Sequence, residues 1–123
     1  ILGINPGQFL ALDVPEKVPW LLKRDAIRGR STEQVGAVRM YEVLAGEPFS
    51  MRIAVLPPRT ELNRHFIYHK EEELVYVLQG ELSVIIGSRE VRLSAGDVVR
   101  LKDTFPSHWK NEGGDESELL LMW

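Results

Sequence analysis

His69-Lys70-Glu71-Glu72-Glu73-Leu74-Val75-Tyr76-Val77-Leu78-Gln79-Gly80-Glu81-Leu82 is the stretch on which the fold is decided. From Leu74 onward it is rich in β-branched, aromatic and long aliphatic residues, the types that fit a pleated, half-buried surface. Side chains alternate along a strand, so Glu73, Val75 and Val77 share one face and Leu74, Tyr76 and Leu78 the other. Both faces are largely apolar and both need cover, one from the interior and the other from a second layer or a partner subunit. Gly80 then turns the chain without the Cβ penalty that other residues meet there.

The same texture extends outward in both directions. Val38–Leu44 ends at Ala45-Gly46-Glu47-Pro48, and Ser50–Leu56 ends at Pro57-Pro58. His65–His69, Leu82–Ile86, Glu90–Leu93, Val98–Leu101 and Ser117–Trp123 follow, separated by Gly87-Ser88, Ala95-Gly96-Asp97, Pro106 and Gly113-Gly114. Short strands at this spacing, with no long stretch at helical period, predict an all-β sandwich or barrel. His65, His69 and Glu73 are four apart and would share a helix face, but the aromatic, β-branched run around them favours a strand. Either geometry keeps the three together.

Upstream, the texture is different. Residues 1–20 carry Pro6, Gly7, Pro15 and Pro19, poor helix material that reads as an extended arm. Residues 21–40 are locally basic, with Lys23, Arg24, Arg28, Arg30 and Arg39, and are expected to form a solvated face. Ser31-Thr32-Glu33-Gln34 has capping-box spacing, but Gly36 limits it to one helical turn. The domain reading is an N-terminal arm with edge strands over 1–35 and a barrel over 36–123.

Composition narrows the function classes. A chain of 123 residues, 44% hydrophobic and 27% charged, has the balance of one soluble globular domain. A net charge of −3 gives no general attraction to nucleic acid or to an anionic membrane. Without cysteine there is no disulfide scaffold, thiolate zinc site or cysteine nucleophile, which suits a reducing cytoplasm. No apolar run approaches the roughly 20 residues of a membrane span, and no signal peptide is expected. The chain opens on Ile1, which leaves room for an upstream segment.

His69, three intervening residues, Glu73, six more and Gly80 resemble the first motif of the cupin family. Leu93-Ser94-Ala95-Gly96-Asp97-Val98-Val99, followed by Pro106 and Asn111, is similar to the second. The resemblance implies a double-sheet jelly roll, the double-stranded β-helix barrel, around a cavity open at one end. It also implies a homodimer and a small-molecule partner. Many cupins hold one divalent metal (Zn, Fe, Mn or Ni) between a His-any-His pair, the motif Glu and a His of the second motif.

Carried over by position, only part of that metal set is present. His69 and Glu73 match, whereas Ile67 stands where the first His belongs and Ser107 where the last one does. His108 comes one residue later and so points to the opposite strand face. A complete site would need His65, His69, Glu73 and His108 together, with a bulge near Pro106, and no metal is favoured.

The functional expectation is a cupin barrel that binds a small polar or anionic molecule, with Ile67, Val75, Val77, Ser107 and Trp109 on the cavity wall. An anion would follow if Arg52, Arg64 or Arg100 pointed inward. Leu22-Lys23-Arg24-Asp25 and Met40–Ala45 look like the lead-in to sensor domains of helix-turn-helix regulators, although no helix-turn-helix occurs here. The alternative is a small enzyme: an isomerase, epimerase, dehydratase or cyclase with His69, Glu73 and His65 as acid–base groups, or a metal-dependent dioxygenase. A purely structural module is a third class. Fold alone does not separate these.

Overall fold

The computed structural model describes residues 20–29, 32–46, 48–69 and 71–123. Of the arm predicted over residues 1–20, residues 1–19 lie outside these. Among the described residues one short helix, α1 (Arg24–Arg28), precedes ten strands: β1 (Thr32–Val35), β2 (Val38–Leu44), β3 (Met51–Leu56), β4 (Thr60–Leu62), β5 (Glu73–Gln79), β6 (Glu81–Ile86), β7 (Arg89–Ser94), β8 (Val98–Leu101), β9 (His108–Asn111) and β10 (Ser117–Met122). They form a six-stranded sheet, β1-β2-β3-β10-β5-β8, and a four-stranded sheet, β4-β9-β6-β7. Every pairing is antiparallel. This is the expected double-sheet jelly roll.

Alternation positions the core. In β5, Glu73, Val75 and Val77 are buried while Leu74, Tyr76 and Leu78 are exposed. Val75 and Val77 meet Leu119 and Leu121 of β10, and the cluster continues into Leu82, Val84 and Trp109 of the second sheet. Each such side chain stabilises the fold by about 1.5–3 kcal/mol relative to exposure. The outward row stays uncovered: Tyr76 pairs with Val98 of β8, and both are exposed. Farther along the same sheet, Ile27 of α1 packs with Tyr41 and Val55.

The turns obey local chemistry. At Ser94–Asp97 the Asp97 carboxylate accepts the Ser94 N–H at 2.8 Å, the bond that makes Asp a turn residue. The Gly96 N–H donates to the Val77 carbonyl and the Val77 N–H to the Asp97 carbonyl, at 2.8 and 2.9 Å. The turn is thereby pinned to β5. Asn111 fastens another junction, with its amide nitrogen 3.1 Å from the Leu56 carbonyl, 3.0 Å from that of Pro57 and 2.9 Å from that of Asp115.

Two sequence expectations are corrected. Thr32–Val35 is a strand, not a helical turn: Gly36, at φ +61°, starts a tight connection and Val35 pairs with Val38. Hairpin pairing outweighs the capping-box spacing, and Ser31 itself lies outside the described residues. His65–His69 is not a strand. His65 and Phe66 are buried side by side, against strand alternation, and the His65 N–H donates to the Tyr68 hydroxyl at 3.2 Å. The aromatic bias of this run serves ring packing rather than a ladder.

The basic stretch is paired and solvated only in part: Arg24 and Arg39 are exposed, Arg28 is part-buried against the buried Glu118, and Arg30 lies outside the described residues. Arg28 meets Glu118 at 2.6 Å, Arg39 meets Glu116 at 3.0 Å, and Arg24 lies 3.7 Å from Glu118.

Candidate functional site

Glu73 opens β5 opposite Leu101, the last residue of β8. It is the inward-facing residue at that end of the strand, so its carboxylate enters the barrel where the lining turns from aliphatic to polar. The preceding loop brings His65 and His69 to it. His65 Nε2 is 2.7 Å from Glu73 Oε1, and His69 Nε2 is 3.3 Å from the same oxygen.

The His65 tautomer follows from its second neighbour. Trp109 Nε1 lies 3.2 Å from His65 Nδ1, and an indole N–H can only donate. His65 Nδ1 therefore offers its lone pair, the ring proton sits on Nε2, and Nε2–H donates to Glu73. His65, Glu73 and Trp109 are almost wholly buried, so no water competes for these bonds. Stacking holds the rings in place: His65 and Trp109 lie 6.0 Å apart at 26°, and Phe66 and Trp109 lie 4.9 Å apart.

His69 approaches the same Glu73 oxygen as His65. Its ring stacks on Trp123 at 4.8 Å and 10°, with Phe105 edge-on at 6.4 Å. Its Nδ1 is 3.4 Å from Glu71 Oε2. Neither His69 nitrogen completes a hydrogen bond, and Glu73 Oε2 also has no partner. All three atoms are buried, and a buried oxygen with no donor, as Glu73 Oε2 is, costs about 1–3 kcal/mol. They belong to residues that line a cavity of about 460 Å³, whose wall continues through Glu71, Leu101 and Asp103 to Thr104 and Phe105. That volume falls within the range of small-molecule sites.

Beside the cavity, Arg100 is hydrogen-bonded to Glu72. The guanidinium holds the Glu72 carboxyl below the usual carboxylate range, and Glu72 in turn raises Arg100. A carboxyl held low adds stability above its unfolded titration range and loses it as pH falls through the lowered one. Both side chains are exposed, so screening keeps the effect small.

The structure brings together His65, His69 and Glu73 of the expected site residues. The others lie elsewhere. Val75, Val77 and Trp109 are buried in the apolar core, and Ile67 packs against it half-buried. None of them lines the cavity. Ser107 is exposed, with its hydroxyl 2.9 Å from His108 Nδ1. His108 pairs with Ile85 in β9, next to the buried Trp109 and on the opposite face. No bulge turns it inward.

The donor set consequently does not fit a divalent metal. His108 is on the wrong face, and both nitrogens of His65 are committed, one to an indole donor and one to a carboxylate. Among the described residues no group of three or more His, Asp or Glu side chains is arranged to hold an ion.

Sequence reasoning missed Phe105 and Trp123 as the rings against His69, and Glu71 and Asp103 as part of the cavity wall. Trp123 follows β10, and the pairing of Met122 with Leu74 brings it beside the start of β5. Only that register carries the signal.

Among solved structures, the chain is similar to the polyketide cyclase RemF from Streptomyces resistomycificus, with TM-score 0.66 and 16% identity over 83% of this chain and 78% of that one. It is similar to the cupin domain of an XRE family transcriptional regulator from Enterobacter cloacae, with TM-score 0.60 and 18% identity over 70% and 94% of the two chains. A protein from Thermotoga maritima described as a predicted oxalate decarboxylase gives TM-score 0.60 and 26% identity over 69% and 77%. No curated protein matches the chain. A family profile described as "Cupin domain" matches residues 52–123, from β3 to the last residue. That span is more than half of the sequence, and the chain belongs to the cupin family.

Proposed function

We propose that this cupin binds a small polar molecule at the Glu73–His69 end of its barrel, with recognition rather than metal catalysis as its task. One observation carries the reading: Glu73 Oε2 and both His69 nitrogens are buried, complete no hydrogen bond although carboxylate oxygens lie 3.3 and 3.4 Å from the two nitrogens, and belong to residues lining a cavity of about 460 Å³. Buried polar groups are ordinarily paired, and an unpaired set at a cavity wall is what an incoming hydrogen-bonding ligand completes. The cupin domain of a transcriptional regulator among the structural relatives supports a sensing role at the level of fold.

Thermal-shift screening against amino acids, polyamines, sugars and carboxylic acids tests this. A ligand at 100 times its Kd stabilises the folded chain by about 2.7 kcal/mol, a readily measured rise in Tm. At least one class is expected to produce that rise in the native chain and to lose it in His69→Ala. Equal shifts in both proteins would move the binding site elsewhere.

A second reading, metal-free acid–base catalysis, is favoured by the bonded chain Trp109–His65–Glu73 with His69 beside it. In that case His69 exchanges the substrate proton and Glu73 orients or accepts. His65 acts through Glu73 and is a positioning residue. The polyketide cyclase among the relatives shows the fold in an enzyme.

A further inference from the structure

The cavity has a preferred ligand charge. Three carboxylates line it, from Glu71, Glu73 and Asp103, and no lysine or arginine does so among the described residues. The three arginines that would have made an anion site are engaged elsewhere. Arg52 meets Glu33 at 2.6 Å, Arg64 donates to the His65 carbonyl at 2.9 Å, and Arg100 is held by Glu72.

We infer that the cavity takes a small organic cation, an alkylammonium or amidinium group on an apolar stem. Its N–H donors would satisfy Glu73 Oε2, and its stem would lie against Leu101 and Phe105. This rests on the reading that the cavity is a small-molecule site and adds the charge class of the occupant.

Two observations carry it. The first is the sign of the lining, against which an anion would enter at a cost set by three like charges. The second is the buried orphan. Glu73 is 1% exposed, already accepts the His65 N–H on Oε1, and has no donor on Oε2. A hydrogen bond from a charged donor to a carboxylate is about twice as strong as a neutral one. A cationic N–H therefore completes this site better than a hydroxyl. Phe105 adds an aromatic ring, over whose face a cation gains further attraction.

Calorimetric titration of the full chain, freed of metal by chelator, with benzylamine, benzyl alcohol and benzoate separates charge from shape. Benzylamine is expected to bind at least tenfold more tightly than benzyl alcohol, with no saturation by benzoate. Glu73→Gln, close to isosteric, is expected to weaken benzylamine tenfold or more. Asp103 stands at φ +58°, a conformation that asparagine tolerates, so Asp103→Asn keeps the fold and is expected to weaken benzylamine several-fold. Benzyl alcohol or benzoate matching benzylamine would overturn the charge class and leave the binding reading standing. Benzylamine binding unchanged in both variants would overturn it as well. Saturation by none of the three would remove both.

Discussion

Trp109→Ala is expected to destabilise the fold by about 3–5 kcal/mol, the range for deleting a large buried aromatic. Trp109 has no exposed surface, packs in the main core and stacks on Phe66 at 4.9 Å. Its loss leaves a cavity between the sheets and also strips the indole donor from His65 Nδ1. Trp109→Phe separates the two effects. It keeps much of the ring volume but orphans the imidazole nitrogen, for an expected loss of about 1–3 kcal/mol. Denaturant unfolding measures both. A cost below about 1 kcal/mol for the alanine variant would mean that this side chain does not join the sheets.

The second large effect concerns Gly80. Its φ is +84°, and a Cβ placed there would lie 2.5 Å from Ser117 Oγ, 2.9 Å from the Glu116 carbonyl and 3.0 Å from Ser117 Cα. Ser117 Oγ cannot swing away freely, because it donates to the Glu81 carbonyl at 2.8 Å. The motif glycine is thus required twice over, by its dihedral angle and by the close passage of β10. Gly80→Ala is expected to lose about 1–2 kcal/mol for the left-handed conformation and about 1–3 more for the contact. Gly96 is the internal control: its φ is +97°, but a Cβ there would meet nothing within 4 Å, so Gly96→Ala should show only the first loss. Equal losses at the two positions, read from unfolding midpoints, would contradict the steric account.

Much of the sheet architecture was legible because alternation is a local signal. Val38–Leu44 and Val98–Leu101 coincide with β2 and β8, and β5 covers the alternating run from Glu73 to Leu78. β4, which the sequence reading missed, and β1 and β9, for which it gave no bounds, have three or four residues of mixed polarity. Their partners, not their composition, make them strands. At His65–Tyr68 the aromatic bias pointed to a strand, but the rings pack on Trp109 and Phe105 instead.

The site divides in the same way. His69 and Glu73 were visible through their spacing in one continuous segment. Glu73 points inward as alternation requires, and His108 points outward for the same reason. The anionic half of the ligand expectation hung on where three arginines point, which sequence cannot tell. The lock on His65 could not be read at all, because Trp109 is 44 residues away and its role depends on one nitrogen of each ring.

Long-range proton–nitrogen correlation NMR of the histidine rings near neutral pH tests the centre of this account most directly. His65 is predicted to be neutral, with its proton on Nε2 and a lone pair on Nδ1, because Trp109 donates to one side and Glu73 accepts on the other. A proton on Nδ1, or a doubly protonated ring, would contradict it.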